Sequence, residues 1–143
     1  MYHRILLPLD GSHLAEQALR HSVALAERFQ AKLILLKVLV PLASNLNLPS
    51  GAVKKAEEVT RRLAMEYLER VAARILKKNI SVNTAIVMGQ SHTEIIRFAE
   101  VNCIDVIVMS TREHSWFSRL FQISIADRIV RCTNIPVLLI RSQ

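Results

Sequence analysis

The chain has 143 residues, of which 51% are hydrophobic and 22% charged, as expected for one globular domain. Its longest apolar run, Leu33 to Leu46, is interrupted by polar residues and a proline and is too short to span a membrane. A net charge of +7 raises the question of nucleic-acid binding, but no aromatic residues alternate with the basic ones as base stacking requires. We therefore expect a single domain, residues 1–143, and disfavour a membrane or nucleic-acid partner.

The amino-terminal part predicts a strand, a helix and a second strand. An apolar run, Ile5 to Leu9, follows almost directly from the first residue, so we expect no cleavable signal and a cytoplasmic protein. Gly11 then allows a tight turn, and Ser12 is a suitable N-cap. The helix predicted after it, His13 to Phe29, has an apolar face formed by Leu14, Ala18, Val23, Ala26 and Phe29. Lys32 to Val40 is nearly continuous in Leu, Ile and Val, as in a strand buried on both faces of a parallel sheet.

The middle of the chain begins with a break in this pattern. Prolines, asparagines and a glycine between Pro41 and Gly51 indicate a long loop, which we expect to be the least ordered segment. One long helix is predicted from Val53 to Lys78, with an inner face of Ala56, Leu63, Tyr67, Val71 and Ile75. Val82 to Met88 is the third predicted strand. After it, Ser91 and Glu94 have capping-box spacing, which predicts Ser91 as the N-cap of a third helix.

The carboxyl-terminal part predicts a further strand, helix and strand. Val106 to Met109 is an apolar strand, a helix is expected from about Ser118 to Cys132, and Pro136 to Ile140 is the fifth strand, which its proline places at an edge or strand end. Five strands alternating with four helices predict an α/β fold, a single open parallel sheet with helices on both faces. Ligands of such folds bind at the carboxyl ends of the strands, so the turn from Ser110 to Ser124 should help to build a site.

Residues that could carry catalysis or bind metal are not arranged for either task. The five histidines lie on different predicted elements, and Cys103 and Cys132 lack metal-ligand spacing, so we expect no metal and two reduced, partly buried thiols. Asp105 precedes its strand whereas Asp10 follows its own, so their carboxylates should lie at opposite ends of the sheet. We therefore expect no enzymatic activity. Asp10 has two interpretations, a ligand for ribose hydroxyls or magnesium, and a turn residue bonded to nearby backbone N–H groups.

With these elements in place, the chain resembles the universal stress protein family from Ile5 to Arg141. The resemblance is carried by the order and spacing of several runs: Ile5–Ser12, Val87–Gly89, Asp105–Thr111, Ser118–Leu120 and Asn134–Arg141. It implies a Rossmann-like fold of the adenine nucleotide alpha hydrolase type, with strand order 3-2-1-4-5. It also implies a homodimer in which the last strands of two subunits pair. A bare apolar edge is a template for such pairing, and the residues expected there are Val137, Leu138, Leu139 and Ile140.

The nucleotide-binding members of this family carry the motif Gly-x2-Gly-x9-Gly-Ser/Thr after the fourth strand. In this chain the motif falls on Ser110, Glu113, Ile123 and Ser124, so the glycines that let backbone N–H groups approach phosphate are replaced. The positions around adenine and ribose are better preserved. The candidate nucleotide-contacting residues that the resemblance implies are Pro8, Asp10, Val38, Met109, Ser110, Arg112, Glu113 and Ser124.

Two classes of function fit this mixture of preserved and altered positions. One is a non-enzymatic stress-response protein that acts as a homodimer with weak or no ATP binding, through a protein partner that the sequence does not name. The alternative is an adenine-nucleotide-binding sensor with a rebuilt phosphate loop, whose cofactor would be ATP or another adenine nucleotide. Trp116 and Phe117 either pack on the fourth helix or the dimer contact, or fold over the vacated phosphate pocket.

Overall fold

Five strands alternate with four helices in the computed structural model, which describes residues 1–42, 47–75, 79–112 and 124–142. This confirms the predicted alternation. The elements are β1 (Arg4–Pro8), α1 (His13–Phe29), β2 (Lys32–Leu39), α2 (Ser50–Ile75), β3 (Val82–Met88), α3 (Ser91–Val101), β4 (Val106–Arg112), α4 (Ile125–Cys132) and β5 (Val137–Ser142).

The strands form one parallel sheet in the order β3-β2-β1-β4-β5, which confirms the predicted topology. Successive strand residues point to opposite faces, so β1 contributes to two separate cores. Ile5 and Leu7 pack with residues of α1 and α2, whereas Leu6 packs with residues of α3 and α4. The central strands are therefore apolar at nearly every position, because both of their faces are covered.

The turn into α1 forms as the sequence predicts. Ser12 has extended backbone angles, and its hydroxyl accepts a hydrogen bond from the Ala15 N–H at 3.1 Å. This bond satisfies one of the N–H groups that have no partner inside the first turn of a helix. The start of α1, which follows the carboxyl end of β1, is consequently fixed.

The inner face predicted for α2 is wrong in its first half. Ala56 is exposed and Leu63 is 56% exposed, while the buried residues of the helix are Ala64, Leu68, Val71 and Ile75. Both stripes have helical spacing, and periodicity alone does not choose between adjacent stripes. Packing decides, because only the second half of the helix lies against the sheet. The helix begins at Ser50, inside the segment predicted as a loop, and residues 43–46 and 76–78 lie outside the described part.

The capping box predicted for α3 is also wrong. The N-cap is Gln90 and Ser91 is the first helical residue, so the Glu94 N–H bonds to the Gln90 carbonyl at 2.9 Å. The Glu94 side chain instead lies over Gly89, where a Cβ atom would come within 2.6 Å of the Glu94 Cγ atom. Gly89 has a φ of +149°, which is accessible to glycine, so the side chain packs on bare backbone and does not cap the helix.

Two further expectations need correction. The strand predicted to end at Met109 continues to Arg112, because β5 extends to Ser142 and pairs with it in register. Cys103 and Cys132 are exposed, and not partly buried. Cys103 lies in the turn after α3 with a φ of 51°, and Cys132 is the last residue of α4, so neither faces a core.

Candidate functional site

A cavity of about 260 Å³ lies at the carboxyl ends of the strands, where ligands of open α/β folds bind. Seven of the eight candidate residues from the sequence line it: Pro8, Asp10, Val38, Met109, Ser110, Arg112 and Ser124. The eighth, Glu113, lies outside the described residues, as do Trp116, Phe117 and Ile123. The rest of the lining is largely apolar and includes Leu9, Leu36 and Ile95. An apolar pocket with a few polar groups at its edge is typical of a small-molecule site.

Asp10 lies at the edge of this cavity in a tight turn. Its Oδ1 atom accepts a hydrogen bond from the Ser12 N–H at 2.8 Å, which confirms the turn interpretation. Gly11 follows with a φ of +92°, a conformation that side chains disfavour. No described residue donates a hydrogen bond to the second carboxylate oxygen. That oxygen can therefore still accept a ligand hydroxyl, so the turn interpretation leaves the ligand interpretation open.

A second group of polar side chains contacts this turn without lining the cavity. The Lys37 ammonium on β2 donates to the Asp10 carbonyl at 2.8 Å and lies 5.3 Å from the centre of the Tyr67 ring. The Tyr67 hydroxyl donates to Glu16 Oε1, and Arg74 donates to Glu16 Oε2, each at 3.0 Å. Sequence reasoning missed this group. The sequence signal was a lysine at position 37, which lies on the same face of β2 as Leu33 and Leu35.

The pKa values of this group reflect its contacts. Burial alone would raise the pKa of the Glu16 carboxyl, but the hydrogen bonds from Arg74 and Tyr67 and the positive charge of Arg74 outweigh burial and lower it. Burial and the bond to Glu16 raise the pKa of the Tyr67 hydroxyl well above its ordinary value. Glu16 is therefore an anion and Tyr67 a donor throughout the neutral range.

The two serines at the altered motif positions have different surroundings. The Ser124 hydroxyl caps α4 and accepts a hydrogen bond from the Asp127 N–H at 3.1 Å. The Ser110 hydroxyl oxygen is inaccessible to solvent and has no hydrogen-bond partner among the described residues. Ser110 belongs to β4, where it is in register with Ile140 of β5. Its backbone is thus part of a sheet ladder and not of an open phosphate loop.

The described residues contain no group of three or more His, Cys, Asp or Glu side chains that could hold a metal ion. Asp105 lies at the opposite end of the sheet from Asp10, as the sequence predicts, and accepts hydrogen bonds from the His3 and Arg4 N–H groups at 2.7 and 2.8 Å. Among the described residues, no helix is both long and apolar enough to cross a membrane.

Known proteins resemble this chain over its whole length. The model of the universal stress protein family matches residues 1–141. A universal stress protein from Methanocaldococcus jannaschii is 28% identical over 142 residues, which cover 99% of this chain and 83% of the relative.

Solved structures of such proteins share the fold. A universal stress protein from Lactobacillus plantarum superposes with a TM-score of 0.83 at 23% identity, covering 98% of both chains. One from Archaeoglobus fulgidus, solved in complex with dAMP, has a TM-score of 0.65 at 18% identity and covers 96% of this chain and 97% of its own. A further universal stress protein, solved in complex with cAMP, has a TM-score of 0.71 at 18% identity and covers 98% and 97%.

Proposed function

Because the chain belongs to the universal stress protein family, we propose that it is a non-enzymatic stress-response protein that acts as a homodimer and binds ATP weakly or not at all. Proteins of this family are generally not catalytic enzymes. The observation that carries the proposal is the edge strand β5. It pairs with β4 on one side and with no described strand on the other, and Leu138 and Leu139 are 37% and 36% exposed.

The two edges of the sheet differ in a way that supports pairing through β5. On β3, the opposite edge, no large apolar side chain is among the exposed ones, whereas two adjacent leucines are exposed on β5. Exposed leucines beside unpaired backbone groups form a surface that a second β5 strand can cover. A two-fold contact of this kind places the same residues of both subunits against each other.

The dimer is tested by charging this edge. The double substitution Val137→Lys with Leu139→Lys should give a monomer in size-exclusion chromatography with light scattering, because two-fold strand pairing would bring like charges of the two subunits together. The matched control is Asn83→Lys, which adds a charge at an exposed position of the other edge strand and should leave the dimer mass unchanged. A dimer mass retained by the β5 variant, with unchanged circular dichroism, would refute pairing through this strand.

Weak ATP binding is supported by the pairing of the last residues of β4. Phosphate-binding loops present successive free N–H groups, but here Ser110, Thr111 and Arg112 are in register with β5. Ser110 also carries a side chain where a close phosphate contact needs bare backbone. Calorimetry should therefore give ATP a dissociation constant weaker than low micromolar. A low micromolar constant, equivalent to about −8 kcal/mol, would contradict this part of the proposal.

The second candidate is an adenine-nucleotide-binding sensor with a rebuilt phosphate loop. It is favoured by the cavity that Pro8, Asp10 and Val38 share with Arg112, and by the dAMP and cAMP complexes of proteins with the same fold. Both ligands carry one phosphate, which places a smaller demand on the missing glycines than a triphosphate does. The cavity measures about 260 Å³, close to the lower limit of roughly 300 Å³ for small-ligand pockets.

The two candidates make different predictions for AMP. If the protein is a sensor for mononucleotides, AMP should bind more tightly than ATP, and Asp10→Ala should weaken the binding of both, because the carboxylate at the cavity edge would accept the ribose hydroxyls that the two nucleotides share. If the protein acts through dimerisation alone, neither nucleotide should give measurable heat. The dimer should form in both cases, so the mass measurement and the titration decide separate questions.

A further inference from the structure

Lys37 is an unusual residue for its place in the sheet. It follows Leu33 and Leu35 at alternate positions of β2, and both of those leucines are fully buried in the core shared with α1 and α2. Alternation therefore directs the Lys37 side chain to the same face. Lys37 itself is only half-buried, near the carboxyl end of the strand, so its long side chain can lie on this face while the ammonium reaches polar groups. The contacts of the ammonium indicate its role.

Lys37 contacts a residue that lines the cavity but does not line the cavity itself. The Lys37 ammonium donates to the Asp10 carbonyl at 2.8 Å, and Asp10 lines the cavity whereas Lys37 does not. A Cβ atom added at Gly11 would lie 3.4 Å from the same ammonium, so Lys37 lies close against the backbone of the turn. The bond crosses 27 positions of sequence and joins β2 to the residues that connect β1 with α1.

The ammonium is itself held in place. It lies 5.3 Å from the centre of the Tyr67 ring, a distance at which a cation is attracted to the ring face. Tyr67 in turn is oriented by its bond to Glu16, which Arg74 also binds. The ammonium therefore has one acceptor and one aromatic face, and these two contacts restrict the rotamers that a free lysine would sample.

We propose that Lys37 is a positioning residue for ligand binding, which fixes the Asp10 carbonyl and thereby the orientation of the Asp10 carboxylate at the cavity edge. The inference rests on the proposed binding of an adenine mononucleotide. Preorganisation lowers the entropy lost on binding. A turn that is already held by the Lys37 bond and by the Asp10–Ser12 bond presents the carboxylate without further ordering.

The first test needs no ligand. In Lys37→Met, amide hydrogen exchange of Ser12 and Ala15 should accelerate about tenfold, the equivalent of one charge-assisted hydrogen bond, while exchange of Leu35 stays unchanged. Lys37→Arg should restore the slow exchange, because a guanidinium can also donate to the carbonyl and stack on Tyr67. The matched control is Lys32→Met, on the same strand at its exposed amino end, which should change neither amide.

The second test adds AMP as the probe. Its dissociation constant should rise about tenfold in Lys37→Met and remain near the wild-type value in Lys37→Arg and Lys32→Met. Tyr67→Phe should have an intermediate effect, since it keeps the ring and removes the bond to Glu16. Unchanged Ser12 exchange in Lys37→Met would overturn the inference, as would wild-type AMP affinity in that variant. If the wild-type protein binds no AMP, the nucleotide assignment fails, and the exchange result alone decides whether Lys37 fixes the turn.

Discussion

The two ends of the sheet each have an aspartate beside a central strand, and the surroundings of these aspartates differ. At the amino end, Asp105 accepts two backbone N–H groups from His3 and Arg4, and the Arg4 side chain donates to the Asn102 carbonyl. At the carboxyl end, Asp10 bonds within its own turn and faces a cavity. The carboxylate at the amino end is therefore bonded to residues distant in sequence, whereas the carboxylate at the carboxyl end bonds locally and keeps one oxygen available.

The two carboxylates also differ in how far apart in sequence their hydrogen-bond partners lie. The bonds of Asp105 join residues more than a hundred positions apart, so they connect β1 to the turn before β4 and stabilise the central pair of strands. The bond of the Asp10 carboxylate spans two positions and shapes only its turn, while the long-range bond from Lys37 is made to the Asp10 backbone carbonyl. Stability should therefore depend on the amino end, and ligand binding on the carboxyl end.

The largest expected effect is on stability at the amino end. Asp105→Ala should lower the free energy of unfolding by about 3 kcal/mol, because two N–H groups lose a charged acceptor. Asp10→Ala should lower it by about 1 kcal/mol, since only one local bond is lost. Urea denaturation of both variants measures the difference. Equal losses would show that the two ends of the sheet are not distinct.

A smaller effect of opposite sign is expected at the carboxyl end. Ser110→Ala removes a buried hydroxyl that has no partner among the described residues and should raise the free energy of unfolding by about 1 kcal/mol. Ser22→Ala is the matched control, because its buried hydroxyl donates to the Ala18 carbonyl at 2.9 Å and its removal should cost about 1 kcal/mol. Thermal denaturation of both variants should give shifts in opposite directions, and a loss for Ser110→Ala would mean that its hydroxyl is bonded.

The smallest expected effect is the pH dependence of stability. Burial alone would raise the pKa of the Asp105 carboxyl, but the hydrogen bonds from the His3 and Arg4 N–H groups outweigh it and lower the pKa. The folded state therefore binds fewer protons than the unfolded state, so the contribution of Asp105 is present above its ordinary pKa near 3.8 and is lost as the pH falls through its lowered value. Glu16 acts in the same direction below its ordinary value near 4.5.

Denaturation from about pH 6 to about pH 2.5, a range that includes the ordinary pKa values of both carboxyls, tests the sign. Stability should fall with acid in the wild type and fall less steeply in Asp105→Asn, which cannot lose a charge. A steeper slope in Asp105→Asn would contradict the direction of the pKa change.

The altered family motif from Ser110 to Ser124 allows a test of ligand binding at the carboxyl end of the sheet. Restoring glycine at positions 110, 113 and 123 together should improve ATP affinity in calorimetry, because backbone N–H groups regain access to phosphate. Glu113→Gly alone should not, since the motif glycines at positions 110 and 123 would still be missing. Improvement by the single substitution would mean that charge, and not lost backbone access, weakens ATP binding.

Much of the fold was predictable because its signals are local. Apolar runs such as Ile5 to Leu9, turn residues such as Gly11, and the N-cap Ser12 lie next to the structure they specify, and the structure confirms each of them. The wrong predictions concern choices between equivalent local options. Ser91 and Gln90 compete for one capping position, and two adjacent stripes of α2 compete for the core.

Local sequence patterns predicted the alternation of strands and helices along the chain, because periodicity and turn chemistry act within a few residues. The resemblance to the family supplied the strand order and the residues expected at the carboxyl ends of the strands. Tertiary packing settled which face of α2 is buried, how far β4 extends, and that Lys37 bonds to the Asp10 carbonyl. These outcomes depend on elements that are distant in sequence and meet through packing. No local pattern records the shape of the surface that an element will face.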